Sequence, residues 1–173
     1  MLTMKKIVQI EPSLDNEEKK ELISVINSGW YTEAAKTKEF ERDFAEFIQS
    51  KYAIVVTSGA AALYLGLKAL DIKHGDEVIV PDLTFVASPN AIEMTGAKPI
   101  LIDIESESLN LDLGKLKNLL TKKTKAIMPI HYGGLPCKIK EIKKIAKAHN
   151  LLLIEDAAES LGAKVEGKMT GTF

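Results

Sequence analysis

Leu151-Leu152-Leu153-Ile154-Glu155-Asp156-Ala157-Ala158-Glu159-Ser160 sets an apolar run against two adjacent acids, then small residues, then a third acid. Four consecutive apolar residues bounded by a polar turn read as a buried strand of a parallel sheet. Acids at the carboxyl end of such a strand stand where open α/β sheets bind their ligands. A carboxylate there is costly unless a cation, such as a protonated ring nitrogen, or hydrogen bonds hold it. The alternative, an acid capping the next helix, stays open on this stretch alone.

Working outward, the chain alternates strand-like and helix-like segments from Tyr52 onward. Strands are expected at Ala53–Val56, Glu77–Val80, Lys98–Ile102, Lys125–Ile130 and Leu151–Ile154. Between them lie helical patterns at Ala60–Leu70, from about Phe85 to Thr95, at Leu113–Leu120, and on a lysine-rich segment with Ile139, Ile142, Ile145 and Ala146 on one face. Such alternation predicts an α/β fold with a mainly parallel sheet and right-handed crossovers. Before it, residues 14–28 form a polar helix ended by Ser28-Gly29, and Trp30-Tyr31-Thr32 read as a loop. Phe40, Phe44 and Phe47 follow at helical spacing and are expected to pack in a core.

The 173 residues suffice for a real core, with 46% apolar and 27% charged residues. A formal net charge of −1 argues against nonspecific nucleic-acid binding. Arg42 is the sole arginine, so anions would be met by lysines and backbone amides rather than by guanidinium forks. The single Cys137 excludes an intrachain disulfide and makes a reducing, cytoplasmic setting the default. Lys5 and Lys6 precede no long apolar region, so the amino end does not read as a signal peptide, and no apolar run approaches membrane-spanning length. His74, His131, His149 and Cys137 show no metal-ligand spacing.

The loops at the predicted carboxyl edge carry the chemistry. Thr57-Ser58-Gly59-Ala60 leads straight into a helix, and hydroxyls, a glycine and a helix N-terminus suit a phosphate, although taken in isolation these residues favour a simple helix cap. Neither a Walker loop nor a dinucleotide fingerprint is present. Phe85, just past a strand, could stack on a flat ligand or pack in the core. His131, in Pro129-Ile130-His131-Tyr132-Gly133-Gly134, could be an acid, a base, a ligand contact or a satisfied structural residue.

Seven segments in order resemble the DegT/StrS-type sugar aminotransferases, which use pyridoxal 5′-phosphate (PLP). They are Ser28-Gly29-Trp30, Thr57-Ser58-Gly59-Ala60-Ala61-Ala62-Leu63, Gly75-Asp76-Glu77-Val78-Ile79-Val80-Pro81, Thr84-Phe85-Val86-Ala87-Ser88, Gly96-Ala97-Lys98-Pro99, Pro129-Ile130-His131 and Glu155-Asp156-Ala157-Ala158-Glu159. The resemblance implies an aspartate-aminotransferase-like, fold type I PLP domain: three α/β/α layers around a mainly parallel sheet, here truncated. It divides the chain into a helical arm with a substrate loop, residues 1–50, and the first part of the large domain, residues 51–173. It implies transfer of an amino group, commonly from glutamate, onto a nucleotide-linked keto-sugar by a homodimer or higher homo-oligomer. Asp156 would be the catalytic carboxylate, pairing in its ionised form with the cofactor's ring nitrogen and keeping that nitrogen protonated. Phe85 would stack on the ring, Ser58, Gly59 and Ala60 would meet the phosphate, Glu159 would lie on the cofactor side, and Trp30 and Tyr31 would face the sugar nucleotide. No metal is implied.

Two departures accompany the resemblance. Tyr31-Thr32-Glu33-Ala34-Ala35 replaces a glycine-containing turn, and family members continue past the position of Phe173 to the lysine that binds PLP covalently. The chain is therefore expected to be inactive alone. Lacking the later strands that flank Ala53–Val56 in the family, it should be oligomeric, strand-exchanged or marginally stable. A sugar dehydratase of the same family, or a non-catalytic interaction or regulatory module, are the alternative functions.

Overall fold

The computed structural model describes residues 11–32 and 35–173. The Lys5-Lys6 segment and Glu33-Ala34, parts of two of the readings above, lie outside the described residues. The chain divides into two compact units, one ending at Phe40 and one spanning Glu41–Phe173.

The second unit is built on continuous apolar runs. Val78, Ile79 and Val80 are all fully buried in β1 (Glu77–Pro81), as expected of a strand covered on both faces. It lies between β2 (Lys98–Ile102) and β3 (Thr124–Ile127), and β4 (Leu152–Leu153) adds outside β3, giving a parallel sheet in the order β2-β1-β3-β4. Alternate residues feed two cores. Val78, Val80, Ala126 and Met128 pack with Leu67, Ala91 and Ile92 of α3 (Gly59–Ala69) and α4 (Ala87–Met94) on one face. Ile79, Ile102 and Ile127 pack with Leu116 of α5 (Leu113–Leu116) and with Ile142 and Ala146 of α6 (Ile139–Ala148) on the other. The expected three layers follow from this period-two division.

Four local readings change. Ala53–Val56 forms no ladder among the described residues: Ile54 is 80% exposed, and the Val55 N–H donates instead to Glu41 Oε1 at 2.8 Å. A β-branched run needs a neighbour to become a strand, and the sheet offers none at that place. The expected helix at 113–120 stops after one turn and tightens into a 3₁₀ turn, Lys117–Leu119. Strand pairing expected over 125–130 closes at Ile127, with one bridge resuming at Ile130. Finally, no residue of α2 (Ala35–Ile48) is buried, so the Phe40, Phe44 and Phe47 stripe closes no core within the described chain.

An antiparallel hairpin of β5 (Lys164–Val165) and β6 (Lys168–Met169) follows the sheet. Its turn residues, Glu166 and Gly167, have φ of 50° and 83°, the two positive values that a tight hairpin turn requires. In the first unit, α1 (Asn16–Ser28) is closed by an Asp15/Glu18 capping box and ended by Gly29 at φ 72°.

Candidate cofactor site at the carboxyl edge of the sheet

The opening stretch, expected as a buried strand over Leu151–Ile154, pairs only at Leu152–Leu153 and is half-buried, because β4 is an edge strand with β3 as its one neighbour. Its acids lie just past its carboxyl end. Past β4 the chain bridges once more to the β3 continuation: the Asp156 N–H donates to Pro129 O at 3.0 Å, and the His131 N–H to Asp156 O at 3.2 Å. This places the Asp156 backbone at the carboxyl edge. Its side chain is half-buried and accepts from two donors, Ser88 Oγ–H on Oδ2 at 2.8 Å and Ala158 N–H on Oδ1 at 3.2 Å. Ser88 is fully buried in the first turn of α4, and Thr84 Oγ1 stands 3.1 Å behind it. Pro89 is tolerated in that first turn because its missing N–H would have no intrahelical acceptor.

The amino end of α3 reaches the same edge. Gly96, just before β2, sits against His74, whose N and Cβ lie 3.3 Å from where a Gly96 Cβ would stand, so the carboxyl end of α3 is at the opposite edge. Ser58 caps the helix by accepting the Ala61 N–H at 3.1 Å, and its own hydroxyl proton stays available to donate. The Gly59 and Ala60 N–H groups have no acceptor among the described residues. A Cβ built on Gly59 meets nothing within 4 Å, so the space there is open to a ligand. Phe85, in the β1–α4 connection, is 77% exposed, which removes the core-packing alternative.

Behind Asp156 lies a second polar cluster. Glu155, its side chain 5% exposed, accepts His131 Nε2–H at 3.0 Å and Gly171 N–H at 2.9 Å on Oε2, and Phe173 N–H at 2.6 Å on Oε1. The Cys137 N–H donates to His131 Nδ1 at 3.0 Å, which assigns the ring proton of a neutral His131 to Nε2. Burial pushes the Glu155 carboxyl up, and the His131, Gly171 and Phe173 bonds outweigh it, leaving a net value below the ordinary one. Burial first, and the Glu155 charge second, push the Cys137 thiol up to about 12; it donates to Ile130 O and is no thiolate nucleophile. His131, fully buried, is thus the satisfied structural residue among its possible roles. Glu159 Oε2 accepts the Gly133 N–H at 2.6 Å, tying the turn after β3 to the segment after Asp156.

Ser58, Gly59, Ala60, Phe85, Asp156 and Glu159 therefore all belong to the second unit, and the structure links Asp156 to the Phe85 connection through Ser88. Trp30 and Tyr31 belong to the first. Both are exposed, at 67% and 70%, and with Ser28 and Lys36 they line a cleft of about 780 Å³ within that unit.

Residues 12–173 match the DegT/DnrJ/EryC1/StrS aminotransferase family. The chain belongs to that family. It is 46% identical over 164 residues to GDP-perosamine synthase from Vibrio cholerae, covering 94% of this chain and 45% of that protein. Among solved structures, it resembles DesV of S. venezuelae in complex with a ketimine intermediate (TM-score 0.88, 34% identity, 91% of this chain, 43% of that one). It also resembles GDP-4-keto-6-deoxymannose-3-dehydratase with a trapped PLP-glutamate geminal diamine (TM-score 0.89, 35% identity, 94% of this chain, 44% of that one). The chain thus spans less than half the length of these relatives. The fold is that of the large domain of fold type I PLP enzymes, and the family and the complexed neighbours indicate PLP as the cofactor.

Sequence reasoning did not connect Ser88 with Asp156, nor Glu155 with His131. Ser88 lies 68 residues from Asp156 and carries no local signal of that pairing. The Glu155–His131 pair had a visible clue, two buried-strand ends each closing on a polar residue.

Proposed function

We propose that this chain forms the cofactor-docking part of a PLP-dependent aminotransferase that moves an amino group, from glutamate, onto a nucleotide-linked keto-sugar for polysaccharide or amino-sugar biosynthesis. The observation that carries the reading is Asp156: an acid at the carboxyl edge of a parallel sheet, already supplied with two hydrogen-bond donors. The 46% identity to a GDP-perosamine synthase supports a nucleotide sugar as the amino acceptor.

The residues present fit the cofactor. The Gly59 and Ala60 N–H groups, without an acceptor among the described residues, the Ser58 hydroxyl and the positive end of α3 suit its phosphate. Phe85 is free to lie on the ring. PLP, once bound, supplies an electron sink for breaking a bond at the amino-bearing carbon. Asp156 would hold a proton at the ring nitrogen, and the Ser88 and Ala158 donors fix the orientation of its side chain. Glu159 holds the turn after β3 on the cofactor side. Trp30 and Tyr31, on the arm formed by residues 1–50, are proposed to face the sugar nucleotide. A homodimer in a reducing cytoplasm suits this chemistry; among the described residues, no helix is long and apolar enough to cross a membrane.

The match to a sugar dehydratase supports a second reading, PLP-dependent removal of a sugar hydroxyl. The test is incubation of the whole protein with PLP, glutamate and a GDP-linked 4-keto-6-deoxy sugar. An amino-sugar product, lost on Asp156→Asn, supports the proposal. A deoxygenated sugar without retained nitrogen supports the dehydratase reading, and turnover unaffected by Asp156→Asn removes Asp156 from the chemistry.

A further inference from the structure

We propose that Ser88 is a positioning residue that fixes the Asp156 carboxylate and the Phe85 backbone relative to each other. The ring nitrogen and the ring face of one bound cofactor are then met together. The inference rests on the roles given to Asp156 and Phe85 above.

Three contacts meet at this fully buried residue. The Ser88 N–H donates to Phe85 O at 3.1 Å, Ser88 Oγ–H donates to Asp156 Oδ2 at 2.8 Å, and Thr84 Oγ1 lies 3.1 Å from Ser88 Oγ. A carboxylate can only accept, and a serine has a single hydroxyl proton. With that proton on Asp156, Thr84 must be the donor to Ser88. The pair of hydroxyls therefore forms a one-way chain of donors that ends on the acid, and each bond in such a chain polarises the next. Since Thr84, Phe85 and Ser88 lie on one connection, the element that carries the stacking ring also aims the acid. Oδ2 is claimed by Ser88, and Oδ1 carries only the 3.2 Å bond from Ala158, which leaves Oδ1 the better placed to accept from a ligand N–H.

The experiment measures PLP dissociation constants and the NMR signal of isotopically labelled ring nitrogen in the whole protein for Ser88→Ala, Ser88→Cys, Thr84→Val and Asp156→Asn. Losing a hydrogen bond to a charged group predicts that Ser88→Ala weakens binding about tenfold. The ring nitrogen should shift toward its unprotonated signal. Ser88→Cys, with a weak donor in the same place, should fall between, and Thr84→Val should change affinity less than Ser88→Ala because the bond to Asp156 survives. A purely structural serine would leave the nitrogen signal where it is. Wild-type affinity and signal in Ser88→Ala, with both lost in Asp156→Asn, overturns the role of Ser88 alone. If Asp156→Asn is silent too, the reading of Asp156 fails and this inference goes with it.

Discussion

Glu155→Gln perturbs one atom of a carboxylate that receives three donors. Glutamine keeps one acceptor oxygen and replaces the other with an NH₂ group. With the amide oxygen at the Oε2 position, the bonds from His131 and Gly171 survive, and the Phe173 N–H, 2.6 Å from Oε1 in the native protein, faces another donor. The opposite orientation loses two bonds and is disfavoured. His131 cannot adapt by moving its proton, because its Nδ1 already accepts from Cys137. The loss is one hydrogen bond to a charged group, worth about 1.5–3 kcal/mol. Phe173 is half-buried, so water recovers part of it. The expected destabilisation is about 2 kcal/mol, or about 4–8 °C in melting temperature for a domain of this size. Denaturant unfolding of both proteins at neutral pH measures it, and a loss below about 0.5 kcal/mol would mean that the Phe173 bond to Glu155 contributes nothing to stability. The pH dependence supplies a second check. The Glu155 carboxyl is lowered in the folded state, so its stabilisation is present above the unfolded glutamate value and is lost as pH falls through the folded one. Glu155→Gln should therefore flatten the acid limb of the stability curve, and an unchanged acid limb would contradict the assignment.

Three further outcomes separate packing from function. Ile142→Ala, in the core beneath α6, should cost about 2–5 kcal/mol in denaturant unfolding. Phe85→Ala removes an exposed ring, so stability should stay within about 0.5 kcal/mol while PLP affinity falls; equal affinity would remove the stacking role. Ser58→Ala removes the cap of α3 and should cost about 1 kcal/mol by thermal unfolding, with weaker PLP binding measured alongside.

Val78 to Val80 was readable because both faces of its strand are covered. Leu151 to Ile154 is an equally continuous apolar run, but it is half-buried and only Leu152–Leu153 pair, at the sheet's edge, so the run placed the acids without fixing the strand's burial. Ala53–Val56 has the same composition, but propensity cannot say whether a neighbour exists, and here Glu41 rather than a strand meets Val55. The hairpin at 164–169 escaped notice because Lys164, Glu166 and Lys168 supply too little apolar contrast; Glu166-Gly167 was its one legible signal. Asp156 and Phe85 were visible as loop residues at strand ends. The Ser88 link between them was not, since a long-range hydrogen bond leaves no periodic trace in either segment.

In the proposed function, one PLP molecule spans the carboxyl edge from Asp156 to the amino end of α3. A crystal structure of the whole protein with PLP tests it most directly. The account predicts the ring nitrogen within hydrogen-bond distance of an Asp156 carboxylate oxygen, with the phosphate on the Gly59 and Ala60 N–H groups. A cofactor whose ring nitrogen faces another group, or whose phosphate lies away from α3, would contradict it.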